Sequence, residues 1–198
     1  MLHKTMLLCA LFLASVSTAH AQDADAHSNV NGTLIQAFFQ EEVSGWVFDE
    51  ALLSAIRVRN VIDQALTPED IIAKDKQWRA EVDTDVHPLV DTVLNNDASD
   101  FLRHRVADSG GSITQVFIMD AHGLNVAAST ATSDYWQGDE PKHIETFGKG
   151  AGALHMSDLE VDASTGVYQV QVSFTITDPN TNEPIGAITV GLIADAIL

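Results

Sequence analysis

Apolar residues recur at helical spacing through Val30, Leu34, Ile35, Phe38, Phe39, Val43, Trp46, Val47, Leu52, Leu53 and Ile56. That stripe predicts one long amphipathic helix. Ser44-Gly45 is the place for a kink, and Glu41, Glu42, Asp49 and Glu50 take the outer face. Thr67-Pro68-Glu69-Asp70 is a helix start. Thr67 can cap, Pro68 suits the first turn, and the acids meet the positive end of the dipole. This helix should turn Ile71, Ile72 and Trp78 inward. A second start at His87-Pro88 leads Leu89, Val90, Val93 and Leu94 to a stop at Asn95-Asn96. A further helix runs from about Ala98 to Ser109 on Phe101, Leu102 and Val106, and Gly110-Gly111 supplies the left-handed stop.

Beyond Gly111 the period changes. Ile113 to Asp120 and Leu124 to Ser129 are β-rich runs joined by the turn Ala121-His122-Gly123. Residues 130–153 form a long polar connection, and Leu154 to Val161 is a weaker strand. After turn chemistry at Asp162 to Gly166, Val167 to Thr177 alternates Tyr168, Val170, Val172, Phe174 and Ile176 with Gln169, Gln171, Ser173 and Thr175. A loop over Asp178 to Pro184 precedes the last strand, Ile185 to Ile193. Helices followed by strands on short links predict an α+β domain with a five-stranded antiparallel sheet.

The 198 residues are 45% hydrophobic and 19% charged, enough for one ordinary core, and exclude a disordered or disulfide-stapled chain. Acidic residues outnumber Lys+Arg by 28 to 10, a net charge of -18. So anionic a surface argues against nucleic acid and anionic lipid as partners. His3 and Lys4, the apolar run Met6 to Val16, and Ala19-His20-Ala21 form the three parts of a secretory signal. The expected organisation is a signal peptide over 1–21, a loose leader over 22–29 and a single domain over 30–198. Cys9, the single cysteine, leaves with the signal and lacks a lipobox before it. No thiol chemistry, disulfide or lipid anchor is then expected, and no other stretch approaches the ~18 apolar residues of a membrane helix. The expected location is periplasmic or secreted.

The densest unusual chemistry is Ser133 to Lys142, inside the long connection. Connections beyond ~12 residues are usually functional or disordered. Adjacent Tyr135 and Trp136 can form an aromatic wall. Asp134 and Asp139, with Glu140, can hold a cationic group, and Lys142 a carboxylate. A lid sealing the core edge is the competing reading. The polar face of the strand over 167–177, with Gln171 and Ser173, lines a pocket if the connection folds over it and is plain surface if not. Asp83 to His87 suits the cap of the following helix better than a metal site. Asp178, Asn180 and Asn182 begin like an EF-hand loop, but Glu183 stands where Gly is required. Gly148 to Gly152 lacks the strand–loop–helix context of a phosphate loop. No nucleophile motif is present, so neither a metal, a cofactor nor an enzyme is expected.

Val116 to Asp120, Gly123 to Ser129, Ser133 to Asp139 and Gly186 to Leu192, in that order, resemble the extracellular Cache (PDC, PAS-like) sensor domains. The resemblance covers about Val30 to Ile193 and is specific mainly after Ile113. It implies a PAS-like module with its long helix on one sheet face and a pocket for an amino acid, amine or carboxylate on the other. Carried onto this chain, it nominates Tyr135, Trp136, Asp139 and Lys142, then Gln171 and Ser173, beside Asp134. Receptors of this family carry membrane helices and a cytoplasmic output. Here the sheet is followed only by the residues to Leu198, so a stand-alone module is expected, with a membrane-bound signalling partner for any output. The alternative is a protein–protein interaction module, a homodimer through the long helix. A hydrolase would need His143 or His155 beside a serine.

Overall fold

The computed structural model describes residues 37–161 and 168–193. The stretches read from sequence as a signal peptide and a leader, the start of the long stripe at Val30, Leu34 and Ile35, and residues 162–167, read as turn chemistry and the start of a strand, lie outside the described residues.

The N-terminal stripe does not form one helix. A π-helical turn, Phe39–Val43, ends in turns, and helix α1 restarts at Glu50–Asp63. Asp49 forces the restart, because its carboxylate accepts from Ala51 N at 2.9 Å and caps the new helix. The break falls at the predicted Ser44-Gly45. Val43, Val47, Leu52, Leu53 and Ile56 are buried, and the four acids are exposed. Helix α2, Pro68–Glu81, opens on a full capping box between Thr67 and Asp70. It buries Ile71 and Trp78, but Ile72 is on the solvent side, 46% exposed.

Helix α3 is Pro88–Leu94 and helix α4 is Asp97–Asp108. The cap of α3 does not come from Asp83, Asp85 or His87. His87 occupies the cap position without a side-chain bond. Glu81, at the end of α2, accepts from Leu89 N at 2.7 Å and Val90 N at 3.3 Å. In α4 Leu102 is buried, while Phe101 and Val106 are half-buried.

Strands β1 (Ile113–Met119), β2 (Asn125–Ala128), β3 (Leu154–Met156), β4 (Glu160–Val161), β5 (Tyr168–Thr177) and β6 (Pro184–Ile193) form one antiparallel sheet in the order β2-β1-β6-β5-β3, with β4 also on β5. The predicted strand over 154–161 is therefore broken into two short pieces along one edge. Counted as one interrupted strand, they complete the predicted five-stranded antiparallel sheet. The connection before them carries a short helix α5, Pro141–Ile144, and a 3-10 turn, Phe147–Lys149.

Register sets the two faces. Phe117, Thr189 and Ser173 form one cross-strand row, and Val116, Val190 and Val172 the next. Alternation sends these rows to opposite faces. The Val116 face packs under α1, where Ile56 lies over Gly186 and Asn60 Nδ2 donates to Ile185 O at 2.7 Å. On the Phe117 face, Ile71, Trp78, Leu89, Val90 and Val93 pack against Phe117, Met119, Ala128, Tyr135 and Ala187. Helices α2 and α3 thus fill one end of that face and leave the other end to the connection after β2.

Candidate functional site

The segment after β2 is built into the domain from several directions. Gln115 Nε2, from β1, donates to Thr130 Oγ1 at 3.0 Å. Asn125 Nδ2, from β2, donates to Thr132 Oγ1 at 2.7 Å and to Asp134 O at 2.8 Å. Trp78 Nε1 donates to Thr132 O at 2.8 Å. Asp75 Oδ1 accepts from Tyr135 N and Trp136 N at 3.0 and 3.1 Å. At the β1–β2 turn a Cβ on Gly123 would sit 2.4 Å from Gly138 Cα, and Gly123 has φ 80°. Only glycine permits both that φ and that approach. Residues 130–138 are therefore a held wall.

Between this wall and the sheet lies a cavity of about 330 Å³. Its floor is Gln115, Phe117 and Gln171, its wall Thr132, Ser133, Asp134 and Gln137, and its rim Glu140, Pro141 and Lys142; His155, Ser157 and Val161 close the β3–β4 side. The volume is at the small end of the roughly 300–1,000 Å³ usual for ligand sites.

Of the residues nominated from sequence, Asp134, Lys142 and Gln171 line this cavity and Tyr135, Trp136, Asp139 and Ser173 do not. Tyr135 is fully buried on the helix side, stacked on Trp78 with ring centroids 5.5 Å apart, and its hydroxyl accepts from Arg59 Nη2 at 2.9 Å. Burial leads the causes that push its phenol up to about 12. The predicted aromatic wall is thus a core contact, closer to the competing lid reading. Trp136 is half-buried against the same core, with Nε1 bound to His122 O at 2.9 Å. Asp139 is exposed. Ser173 is buried in a hydroxyl pair with Thr189 at 2.9 Å.

The cavity carries both charge signs. Lys142 Nζ lies 2.9 Å from Glu140 Oε2 and 5.5 Å from the Phe117 ring centroid, with its side chain 16% exposed. Asp134 Oδ1 pairs with Arg79 Nη2 at 3.0 Å. Gln137 is buried; its Nε2 donates to Asp134 O at 2.8 Å, but its Oε1 has no hydrogen-bond partner among the described residues. Ser157 Oγ donates to Asp158 O and accepts from Gln171 N, so it is not held by His155. No metal-ligating group of three or more side chains occurs among the described residues.

Sequence reasoning did not nominate Gln115, Phe117 or Gln137 for the site, took Glu140 only as a companion acid, and took His155 only as a partner for a serine. Gln137 and Glu140 were inside the patch read as a site, and an isolated Gln115 in an apolar strand was itself a signal. His155 had none, because only its register opposite Ser173 brings it in.

Neither a protein-family model nor a curated protein matches this sequence. Among solved structures, the ligand-binding domain of the Campylobacter jejuni chemoreceptor Tlp3, in complex with 4-methylisoleucine, is similar with a TM-score of 0.41 and 10% identity, over 92% of this chain and 63% of that one. The sensor domain of the V. cholerae histidine kinase DctB is similar with a TM-score of 0.37 and 12% identity, over 87% and 59%. The E. coli DcuS sensor domain has a TM-score of 0.38 and 12% identity, over 65% and 90%. The chain spans less than two thirds of the length of the first two. Among the described residues no helix is long and apolar enough to cross a membrane.

Proposed function

We propose that this protein is an exported, Cache-type sensor module that binds a small molecule bearing a carboxylate and an N–H donor in the cavity between the segment after β2 and the sheet. The buried, unpartnered Oε1 of Gln137 on the cavity wall carries this reading. A buried acceptor without a donor costs about 1–3 kcal/mol. A ligand ammonium or amide N–H placed there would remove that cost. Lys142, now held by Glu140, can turn to a ligand carboxylate, and Glu140 is then free for the ligand's cationic end. Amino acids satisfy both demands, simple amines or carboxylates one each. Phe117 offers the apolar part of the ligand a floor.

In this reading residues 1–21 direct export and are removed, 22–29 form a leader, and 30–198 are one domain that signals through a membrane-bound partner. The test is a thermal-shift screen of residues 22–198 with amino acids, amines and small carboxylates, followed by titration calorimetry. Ligand at about 100 times its Kd adds about 2.7 kcal/mol to the folded state, which raises Tm visibly. Lys142→Met should weaken a carboxylate hit about tenfold or more, and Gln137→Leu a hit with an N–H donor. A flat screen removes the ligand reading.

One observation favours a second reading. Val58, Val61 and Ile62 are 55%, 67% and 60% exposed on one side of α1. If the screen is flat and the mature protein sediments as a dimer that Val61→Glu dissociates, the protein is an interaction module joined through that helix.

A further inference from the structure

Most polar groups around the cavity are engaged in holding its wall and rim. Gln115 Nε2 donates to Thr130 Oγ1, Thr132 Oγ1 donates to Asp134 O, and Ser157 Oγ donates to Asp158 O. Glu140 and Lys142 hold each other, and Asp134 holds Arg79. Gln171 differs. Its backbone is fixed, because Gln171 N donates to Ser157 Oγ and Ser157 N donates to Gln171 O, both at 2.9 Å. The residue is half-buried and lines the cavity, yet its side-chain amide has no hydrogen-bond partner among the described residues. His155 sits opposite Ser173, which makes it the diagonal neighbour of Gln171 across the β3–β5 pair. The fixed charges of the lining, Asp134, Glu140 and Lys142, all stand on the wall and rim. The β5 side of the floor therefore offers a donor and an acceptor with no fixed charge beside them.

We propose that Gln171 reads the side chain of the ligand, and that the preferred ligand is an amino acid ending in a carboxamide, with glutamine the fitting length. This rests on the amino-acid reading of the cavity. Two primary amides facing each other form two hydrogen bonds, since each carries an N–H donor and a carbonyl acceptor. A carboxylate brings acceptors alone, an ammonium donors alone, and an aliphatic end leaves the Gln171 amide unpaired. Register sets the length. Gln115, Gly191 and Gln171 form the row next to Phe117, Thr189 and Ser173. Phe117 and Gln171 thus stand two strands and two residues apart, roughly 12 Å between Cα atoms. Lys142 Nζ lies over the Phe117 ring. About 3 Å for a hydrogen bond at each end leaves roughly 6 Å for the ligand, the span from carboxylate to terminal amide in extended glutamine. Asparagine is one methylene short. The ligand carboxylate then meets Lys142, its ammonium meets Glu140 and Gln137 Oε1, and its methylenes lie over Phe117.

Titration calorimetry on the mature protein tests this, with glutamine, glutamate, norleucine and ornithine as the probes. Glutamine should bind about tenfold or more tighter than glutamate or norleucine. Gln171→Leu should erase that ratio, weakening glutamine while norleucine binds as well as before or better. Gln171→Glu should move the preference to ornithine, whose ammonium lies at the same reach as the glutamine amide. Lys142→Met should weaken every amino acid together and keep the ratio. If Gln171→Leu does not fold, the wild-type ratio and Gln171→Glu decide. Glutamate or norleucine binding as tightly as glutamine, or a ratio unchanged in Gln171→Leu, overturns the proposal and leaves the amino-acid reading standing. Binding of none of the four overturns both.

Discussion

Asp75 gives the sharpest test of how the cavity wall is held. It is 9% exposed on α2, its Oδ1 accepts from Tyr135 N and Trp136 N, and its Oδ2 pairs with Arg79 Nε at 2.9 Å. Asp75→Ala leaves the Tyr135 N–H buried and the Trp136 N–H partly buried, neither with an acceptor. Each stranded donor costs about 1–3 kcal/mol, and water reaching the half-buried Trp136 end reduces the second. The Arg79 pair adds little, because that guanidinium is 58% exposed. The expected loss is therefore about 2–4 kcal/mol by urea unfolding. Asp75→Asn keeps an acceptor oxygen and should lose less than half as much. Native-state hydrogen exchange separates a local from a global effect: in Asp75→Ala the Tyr135 and Trp136 amides should lose protection beyond the change in global stability. A loss below about 0.5 kcal/mol, or unchanged relative protection at those amides, refutes the claim that Asp75 pins the wall.

Other consequences follow from the same structure. Glu81 caps α3 from a neighbouring helix, so Glu81→Ala should cost about 1–2 kcal/mol in urea unfolding, as the loss of a good cap does. Arg57 holds the Asp178 carboxyl down to about 2 through a 2.6 Å contact. Because the folded value is depressed, this contribution is present above the ordinary value of 3.8 and is lost as pH falls toward 2. The stability difference between wild type and Asp178→Asn should therefore shrink across that acid window, read from unfolding curves at stepped pH. Gly123→Ala combines a positive φ with a 2.4 Å approach to Gly138, and should lower Tm far more than Gly110→Ala, whose surroundings are open.

The helices were legible because their signals are local. A Thr-Pro-Glu-Asp start and a Gly-Gly stop act within a few residues of themselves, and α2 and α4 begin and end within a residue or two of where those signals lie. The alternation from Tyr168 to Thr177 likewise required a strand with one polar face. The break before α1 was legible only as a kink, because the spacing of apolar residues continues through it while the Asp49 cap ends the hydrogen-bond ladder. The site was legible as a patch but not residue by residue. Tyr135 and Gln137 are two apart on one segment, yet the first packs on Trp78 and the second faces the cavity.

The sequence by itself determined the helix-then-strand order, the acidic surface and the stretch that would wall a site, because periodicity, turn chemistry and charge are properties of neighbours along the chain. Only the tertiary structure decided which side chains of that stretch face the cavity. Asp75, Trp78 and Arg59 reach the stretch from distant helices and claim Tyr135 for the core. Strand register brings Gln115, Gln171 and His155 to the opposite side of the same space. Contacts between residues far apart in sequence leave no mark in local pattern, since either partner alone is compatible with many environments.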